Sequence, residues 1–589
     1  MRFLPTLLVV LGLAASSDLG AQNDALSRAM HDELTRSMES LHFDTLPRPY
    51  FIAYRIDEID QVDVAATQSS VMHSTRTHGR LLTVEVRVGD YAFDNTNFFA
   101  VPTAGGGLLR GFGGLAELPL DDDYDAFRRQ LWLATDAAYK GAVELYSHKR
   151  ASRAAPRSAT DIPDFSRDDV TTTTDSVATP APTLGDAVAL ARRLSAVLEG
   201  LPEIEQSEVS VNVLTLRTLY LNSEGTSFAR SLPSSALRVE AAARAADGMP
   251  LGEAFTTRAA SLTALPPADS LSSRIRALVS RLGQERSAVR ANAYHGPILF
   301  EGEAAAQLFG NIIGSKLIAA RRPVSDNPAF DQFLARRDNP FLDEMGARIL
   351  PKFLSATDNP TLQTYAGQFV GGFRIDDDGV RTRETLVVDH GILKTLLSTR
   401  VPVRGVPRSS GNCRGGAPVV STLIVTSDSG LSKEGLRHRL LALIAARGVP
   451  YGIIVRHIGD ARITARDNPF AVFAAMEMGR GSSPAFPASE VVRVYPDGHE
   501  EPIRGATVLD ISTGSFRDLV AVSHGRSVYT VPTGPNEIPL DLPGFIRFHA
   551  ALEYASTYVV PDLLFEEGSV KPTSAEMSPL PVVPPPWAN

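Results

Sequence analysis

The stretch Pro297-Ile-Leu-Phe-Glu301-Gly-Glu303-Ala-Ala-Ala-Gln-Leu-Phe-Gly310 lies at the middle of a chain of 589 residues. Its apolar run Ile298–Phe300 predicts a short buried strand. Apolar side chains then recur at helical spacing, at Ala305, Leu308, Phe309, Ile312 and Leu317. We therefore expect a buried strand that runs directly into a helix at the centre of the molecule.

The composition is that of a globular protein with more than one domain. Hydrophobic residues make up 43% and charged residues 21% of the chain, which is long enough for two or three domains. The net charge is -9, and no basic block stands out that would neutralise phosphates. Nucleic acid is therefore not expected as a main partner.

The N-terminus predicts export. Arg2 precedes the apolar run Leu7–Ala15, and small residues follow as far as Ala21, as in a signal peptide over 1–21. A bilayer requires about 20 apolar residues, so this run is too short to span one, and no later stretch is suitable. We expect a periplasmic or extracellular protein; an uncleaved N-terminal anchor is the alternative.

The region before residue 184 combines helices, strands and loops. Residues 22–150 are expected to form an N-terminal extension or subdomain, with helices over Leu26–Leu41 and Tyr124–Arg150. Alternating apolar residues in Leu82–Val88 predict a half-buried strand, and the glycines between 105 and 114 predict a flexible loop. Residues 151–183 have the composition of a linker or a long surface loop.

Two further domains are expected after the linker. Residues 184–290 contain a predicted helix, then a hairpin of strands 209–213 and 218–221 with its turn at 222–225, and a second helix over 270–282. Residues 291–560 are rich in strands and glycine turns and include a predicted helix over 433–447. A Pro-rich tail, 561–589, is expected to be extended. Helices and strands in mixed order, without regular βαβ spacing, favour an α+β fold: an N-terminal mixed α/β domain, then a strand-rich C-terminal domain built around the central strand and helix.

Several motifs in this order resemble one known family. They are the strand-helix at 297–310, "DDDG…VVDHGILK" at 376–394, "RSSGN" at 408–412, "RVYPDGHEEPIRGA" at 493–506 and, nearer the N-terminus, "YLNSEGT" at 220–226. Together they resemble the TldD/TldE (PmbA) metalloprotease family over about two thirds of the chain. Residues 22–150 match this family less well, which suggests a secreted branch.

The resemblance implies what the central helix does in this family. TldD-type chains carry His-Glu-x-x-x-His there and a distant Cys as third zinc ligand, whereas TldE-type chains lack these ligands and pair with a TldD-type chain. The motif positions fall here on Glu301, Gly302 and Ala306. Ala306 has no ligating atom and Gly302 cannot act as a base, while zinc sites usually take three ligands rich in His or Cys. We therefore expect no catalytic residue, no metal and no other cofactor.

Two glutamates, one histidine and the single cysteine are the other candidate metal ligands or catalytic groups. Glu301 and Glu303 are interpreted as first-turn charges that favour a helix N-terminus, although an atypical zinc site of Glu301, Glu303 and His524 is the alternative. The single cysteine, Cys413, is interpreted as a loop or buried thiol. The chain has neither an HxxxH pair nor a GxSxG elbow.

The resemblance thus implies a TldE/PmbA-like, non-catalytic subunit of a TldD-type peptidase assembly that acts on unfolded peptides. Its expected partner is a TldD-type chain or a second copy. Peptide is expected to bind by strand addition, and Ser409, Ser410, Gly411 and Asn412 are the predicted groove because small residues permit close approach. The alternatives are an active metallopeptidase with an atypical site and a stand-alone peptide-binding protein of the cell envelope.

Overall fold

The structure is a computed structural model that describes residues 18–42, 46–99, 115–153, 162–176, 183–325, 339–459, 485–533 and 554–573. The expected glycine-rich loop, most of the signal peptide, the Pro-rich segment from 574 onward and parts of the expected linker lie outside these residues. The described residues form helices and two large sheets, which confirms the α+β class. No helix in these ranges is both long and apolar enough to cross a membrane.

The helices have these bounds: α1 Asp18–Ser40, α2 Tyr124–Arg153, α3 Leu184–Ser195, α4 Ala268–Ser287, α5 Glu303–Ile312, α6 Lys433–Arg447 and α7 Thr513–Arg517. The strands of the N-terminal half are β1 Pro49–Thr67, β2 Ser70–Val88, β3 Phe98–Phe99, β4 Leu115–Leu118, β5 Thr172–Ser176, β6 Gln206–Asn222, β7 Ser227–Arg244 and β8 Pro250–Ala259. Those of the C-terminal half are β9 Val289–Arg290, β10 Tyr294–Phe300, β11 Val324–Ser325, β12 Leu354–Asp358, β13 Thr364–Tyr365, β14 Gln368–Phe369, β15 Thr385–Asp389, β16 Ile392–Leu393, β17 Cys413–Arg414, β18 Ala417–Pro418, β19 Thr422–Ser427, β20 Gly452–Ile458, β21 Phe486–Val494, β22 Glu500–Arg504, β23 Ala506–Leu509, β24 Ala521–Thr533 and β25 Tyr554–Pro572.

Seven strands form the N-terminal sheet, in the order β4-β2-β1-β6-β7-β5 with β8 also paired to β7. Helices cover one face. The side chains of Ile52, Tyr54 and Ile56 on β1 pack with α1 and α2, and those of Val62 and Val64 pack with α3 and α4. Because side chains alternate along a strand, Phe51, Arg55 and Ile59 lie on the opposite, helix-free face.

This sheet crosses the expected domain boundaries. β1, from the expected extension 22–150, pairs with β6, from the expected domain 184–290, over fourteen residue pairs from Ala53↔Asn222 to Ala66↔Val209. The expected linker contributes β5, which pairs in parallel with β7. The predicted hairpin is also corrected: residues 209–213 and 218–221 belong to one continuous strand, and the turn after Asn222 leads into β7.

Twelve strands form the C-terminal sheet, in the order β16-β15-β12-β19-β25-β10-β20-β21-β22-β9. β23 pairs with both β21 and β25, which closes a ring of five strands, and β24 pairs with β25. β10 lies between β20 and β25, and α5 follows it directly. The expected central strand and helix are thus present. The tail boundary at 561 is corrected, because β25 continues to Pro572 as an interior strand.

The helix-free face of the N-terminal sheet packs against the C-terminal half through several successive groups of residues. Phe51, Phe165 and Ile375 belong to one buried cluster at this junction. Next to it, Asp377 binds Arg55 and Arg230, which project from β1 and β7. Further along β1 lie Ile59 and a cavity between the two halves.

Candidate functional site

The first two motif positions, Glu301 and Gly302, form the two-residue connection between β10 and α5. Gly302 has φ +61° and ψ -129°, a backbone conformation that favours glycine. Its N–H donates to Asp562 Oδ1 at 2.7 Å. Glu301 and Gly302 therefore precede the helix, and α5 begins at Glu303, whose side chain is exposed.

Glu301 is held by an arginine. Its Oε2 accepts from Arg456 Nε at 3.0 Å, and Arg456 Nη2 also donates to both carboxylate oxygens of Glu500 at 3.0 Å each. Arg437 from α6 pairs with Glu500 in turn. Burial lowers the pKa of Arg456, but the bonds to Glu301 and Glu500 outweigh it and the net shift is upward. The result is a chain of alternating charges beside the start of α5.

Ala306, the third motif position, is completely buried in the C-terminal core with Leu308 and Phe309. A methyl group inside an apolar core offers no ligand. Of the three motif positions only Glu301 has a carboxylate, and it is bound to the Arg456 guanidinium. The residues present therefore do not fit the zinc site that the family resemblance implies. Within the described ranges, no group of three or more His, Cys, Asp or Glu side chains is arranged to hold a metal ion.

His524, the third member of the alternative site, is exposed. It lies in a bulge of β24, where Ser523, His524 and Gly525 stand opposite the single residue Asp562. Its backbone N–H donates to Leu431 O at 2.8 Å.

A second polar cluster, which the motifs did not indicate, connects α5 and β20 with the N-terminal half. Gln307 Oε1 accepts from the Ile458 backbone N–H at 2.9 Å. His457 Nδ1 lies 2.8 Å from Ser489 Oγ and 3.7 Å from Glu253 Oε1 on β8. Burial lowers the pKa of His457, but the adjacent Glu253 carboxylate raises it and prevails. This cluster joins the two halves of the molecule.

The predicted groove is corrected, because its side chains face the interior. Ser409, Ser410 and Asn412 are buried. Ser410 Oγ donates to Asn412 Oδ1, and Asn412 Nδ2 donates to Asp358 Oδ2, both at 2.7 Å. Gly411 has φ +82°, and a Cβ there would lie 2.8 Å from Arg381 O. The segment is a buried connection and does not present an exposed edge to a peptide.

Cys413 is buried, as the buried-thiol interpretation predicted. Burial raises the pKa of its thiol, and the neighbouring Asp378 and Asp376 carboxylates add to the shift. The thiol is therefore protonated at neutral pH and is a poor nucleophile.

The aspartates of the motif that begins at Asp376 have a structural role that the motif itself did not indicate. Asp377 Oδ1 accepts from Arg230 Nη2 at 2.6 Å, and its Oδ2 accepts from Gly415 N–H at 2.7 Å and from Arg55 Nη1 at 3.3 Å. Three consecutive aspartates before a glycine were the only available signal. Their arginine partners lie far away in the sequence, so spacing did not reveal them.

Comparison with known proteins adds family evidence for the C-terminal half. Residues 294–438 match the PmbA/TldA metallopeptidase C-terminal domain. A metalloprotease of Methanocaldococcus jannaschii is 34% identical over 65 residues, which are 11% of this chain and 14% of that relative. The matched segment thus spans about a seventh of the curated relative's length.

Solved structures match nearly the whole chain in fold. A proposed modulator of a DNA gyrase from Thermotoga maritima aligns over 94% of this chain and 100% of its own, with a TM-score of 0.57 and 12% identity. TldE from Thermococcus kodakarensis aligns over 93% and 100%, with a TM-score of 0.55 and 12% identity. At this identity the structural likeness establishes the fold alone. Together with the domain match, it supports the resemblance to the TldD/TldE family.

Proposed function

We propose that this chain is an exported, non-catalytic TldE-like subunit of a TldD-type peptidase assembly that acts on unfolded peptides. The observation that carries the proposal is the state of the three motif positions. Ala306 is part of the apolar core, Gly302 has no side chain, and Glu301 is bound to Arg456.

The positive charge of Arg456 is a second argument against a zinc ion at Glu301. A zinc ion at Glu301 would lie next to the Arg456 guanidinium, and two positive charges at close range repel each other strongly in a partly buried site. Glu301 would have to release Arg456 before it could bind a metal. Arg456 would then keep only Glu500 as a partner among those described here.

The first experiment measures the metal content of the purified mature protein by elemental analysis, together with peptide cleavage with and without a chelator. We expect neither stoichiometric zinc nor chelator-sensitive cleavage. About one zinc per chain with chelator-sensitive cleavage would overturn the proposal and support the atypical site. In that case Glu301→Gln should lose the metal, whereas the matched control Glu500→Gln, on the other side of Arg456, should retain it.

The second experiment tests the assembly. The chain is mixed with a TldD-type protein from the same organism that carries His-Glu-x-x-x-His, and complex formation is followed by size-exclusion chromatography with light scattering. We expect a mixed complex that cleaves unfolded but not folded protein. A chain that binds peptide and remains monomeric in the presence of this partner would support the stand-alone binding protein instead.

A further inference from the structure

Charged side chains from four elements meet where the two halves of the molecule are in contact. Glu253 on β8 and Glu285 on α4 come from the N-terminal half, and His457 on β20 and Glu490 on β21 come from the C-terminal half. Arg281, one turn before Glu285 on α4, reaches both halves: its Nη2 lies 3.5 Å from Glu253 Oε2 and its Nε 3.8 Å from Glu490 Oε2. We call these five side chains the interdomain cluster.

Glu253 is the most deeply buried member of the interdomain cluster. Its side chain is 1% exposed, and its Oε1 lies 3.7 Å from His457 Nδ1. Neither of its carboxylate oxygens has a hydrogen-bond partner in the part of the chain that the structure describes. A buried carboxylate without hydrogen bonds is costly unless opposite charges lie close to it. The ionised form of Glu253 therefore depends on the charges of Arg281 and His457.

The backbone of β20 directs the His457 ring into this contact. His457 pairs with Glu490 on β21, and the register shifts on both sides of that pair. Such bulges change the direction of a side chain. His457 Nδ1 also lies 2.8 Å from Ser489 Oγ, and a hydroxyl can donate to a neutral ring or accept from a protonated one. His457 can therefore keep this position in both protonation states.

The charges in and around the cluster decide which protonation state suits the contact. Two more side chains face it: Glu303 on α5 interacts electrostatically with His457, and Arg274 on α4 interacts with Glu303 and Arg281. Four carboxyl groups thus face two guanidinium groups and one imidazole. With His457 protonated and Glu285 neutral, three negative charges face three positive ones. Without these two protons, four negative charges face two positive ones.

The pKa values of both groups are shifted in the direction that this charge balance requires. Burial raises the pKa of Glu285, and the Glu253 and Glu490 carboxylates add to the shift. Burial lowers the pKa of His457, but Glu253 prevails and the net shift is upward from 6.5. A group with a raised folded-state pKa stabilises the fold below its unfolded pKa, 4.5 for Glu285 and 6.5 for His457. Both contributions are lost as the pH rises through the raised values.

We propose that the interdomain cluster is a pH-sensitive contact, in which protonated His457 and neutral Glu285 hold the two halves together and loss of both protons loosens them. The contact adjoins the elements that carry the motif positions. β20 pairs with β10, and the Ile458 N–H donates to Gln307 Oε1 on α5. A change in this contact thus reaches the strand and helix on either side of the β10–α5 connection. The inference goes beyond the proposed function and does not depend on it.

The test is hydrogen–deuterium exchange of the purified full-length chain between pH 6 and 9, followed by mass spectrometry and corrected for the intrinsic pH dependence of exchange. The readout is local, because other buried groups also titrate and change the global stability. We expect peptides from β8 and α4 to exchange about tenfold faster at pH 9 than at pH 6, the factor that corresponds to one unit of pKa shift in one group.

Two variants separate the contributions of the two groups. His457→Gln cannot be protonated, so β8 and α4 should exchange faster than in the parent at pH 6 and show a smaller pH dependence. Glu285→Gln resembles the neutral carboxyl at every pH, so these elements should exchange more slowly than in the parent at pH 9. The matched control is His438→Gln, at an exposed position of α6, which should exchange as the parent does. Circular dichroism at pH 6 establishes that each variant is folded.

Two results would each overturn the proposal. The first is corrected exchange of β8 and α4 in the parent that is equal at pH 6 and 9 or is faster at pH 6. The second is a folded Glu285→Gln variant that exchanges no more slowly than the parent at pH 9. General destabilisation by a substitution would accelerate exchange, so slower exchange in Glu285→Gln cannot be explained in that way.

Discussion

At the scale of single residues, Gly411 is a loop glycine that packs closely against the backbone of residues 381–382. Replacing it with Ala is expected to strain the backbone, because φ is +82°, and to press the new Cβ against Arg381 O and Thr382 Cα, each 2.8 Å away. The matched control is Gly416→Ala, where φ is +78° and no atom lies within 4 Å of the added Cβ. Both variants bear the strain of a positive φ, about 1–2 kcal/mol, and only Gly411→Ala adds a clash.

We therefore expect Gly411→Ala to lower the free energy of unfolding by about 1–3 kcal/mol more than Gly416→Ala does, as overpacking of an interior commonly costs. Urea denaturation of both variants measures the difference. Equal losses would mean that the backbone around residues 381–382 moves aside at no cost.

Asp358 gives a prediction about pH. Burial raises the pKa of this carboxyl to about 7, although hydrogen bonds from Asn412 and Ser421 oppose the shift. A group whose pKa is higher in the folded state stabilises the fold below its unfolded pKa, near 3.8, and this contribution is lost as the pH rises through 7. Asp358 should thus reduce the free energy of unfolding between pH 4 and 7, by at most about 1.4 kcal/mol per pH unit.

Asp358→Asn should remove this dependence, so the stabilities of parent and variant should diverge as the pH rises from 4 to 7. Urea unfolding at several pH values measures the effect. Asp518→Asn, at a side chain that is 83% exposed, is the control and should leave the pH profile unchanged. If the free energies of unfolding of Asp358→Asn and the parent change in parallel with pH, this carboxyl titrates normally in the fold.

At the scale of elements, the position of α5 depends on a glycine. A Cβ at Gly310 would lie 2.8 Å from the ring of Tyr558 on β25, and that tyrosine is buried. Gly310→Ala should therefore displace α5 from the sheet and destabilise the protein by about 1–3 kcal/mol. The matched control, Gly283→Ala in α4, meets no atom within 4 Å. It should stabilise the protein by about 0.5–1 kcal/mol, because Ala is the better helix former.

Thermal and urea unfolding of the two variants give the comparison directly. Effects of opposite sign would support a close fit between α5 and β25. A stabilising Gly310→Ala would show that the Tyr558 ring moves aside and that the fit is loose.

At the scale of the whole molecule, Asp377 links the two halves. It is almost fully buried and binds Arg230 and Arg55, both on the N-terminal sheet. Asp377→Ala would leave these arginines without this carboxylate, and removing one partner of a buried ion pair commonly costs about 3–5 kcal/mol. Asp60→Ala removes the partner of Arg76 from a partly exposed pair, and it should cost at most about 1 kcal/mol.

The pH dependence of Asp377 has the opposite sign to that of Asp358. Burial raises the pKa of Asp377, but the nearby arginines outweigh it and lower the net value below the ordinary 3.8. Its stabilising contribution is therefore present above pH 4 and is lost as the pH falls below that value. Acid unfolding followed by circular dichroism should begin at higher pH in Asp377→Ala than in Asp60→Ala. Identical acid transitions would exclude Asp377 as the link.

Sequence patterns predicted the elements that local periodicity specifies. The helix over Lys433–Arg447 has the expected bounds, since Ser432 caps its start and Gly448 ends it in a left-handed conformation. The central strand and α5 were also predicted, because a continuous apolar run followed by helical spacing needs no knowledge of distant partners. Such signals are contained within about a dozen residues.

Residue identity and short-range spacing were enough to predict the α+β class, the central strand and helix, and the lack of ligating side chains at Gly302 and Ala306. They were not enough to predict that β1 pairs with β6, that Arg456 binds Glu301, that Ser409–Asn412 is buried or that a cavity lies between the two halves. Each of these depends on which distant segments meet. Contact between residues separated by tens to hundreds of positions is fixed by packing of the whole chain, and no local pattern encodes it.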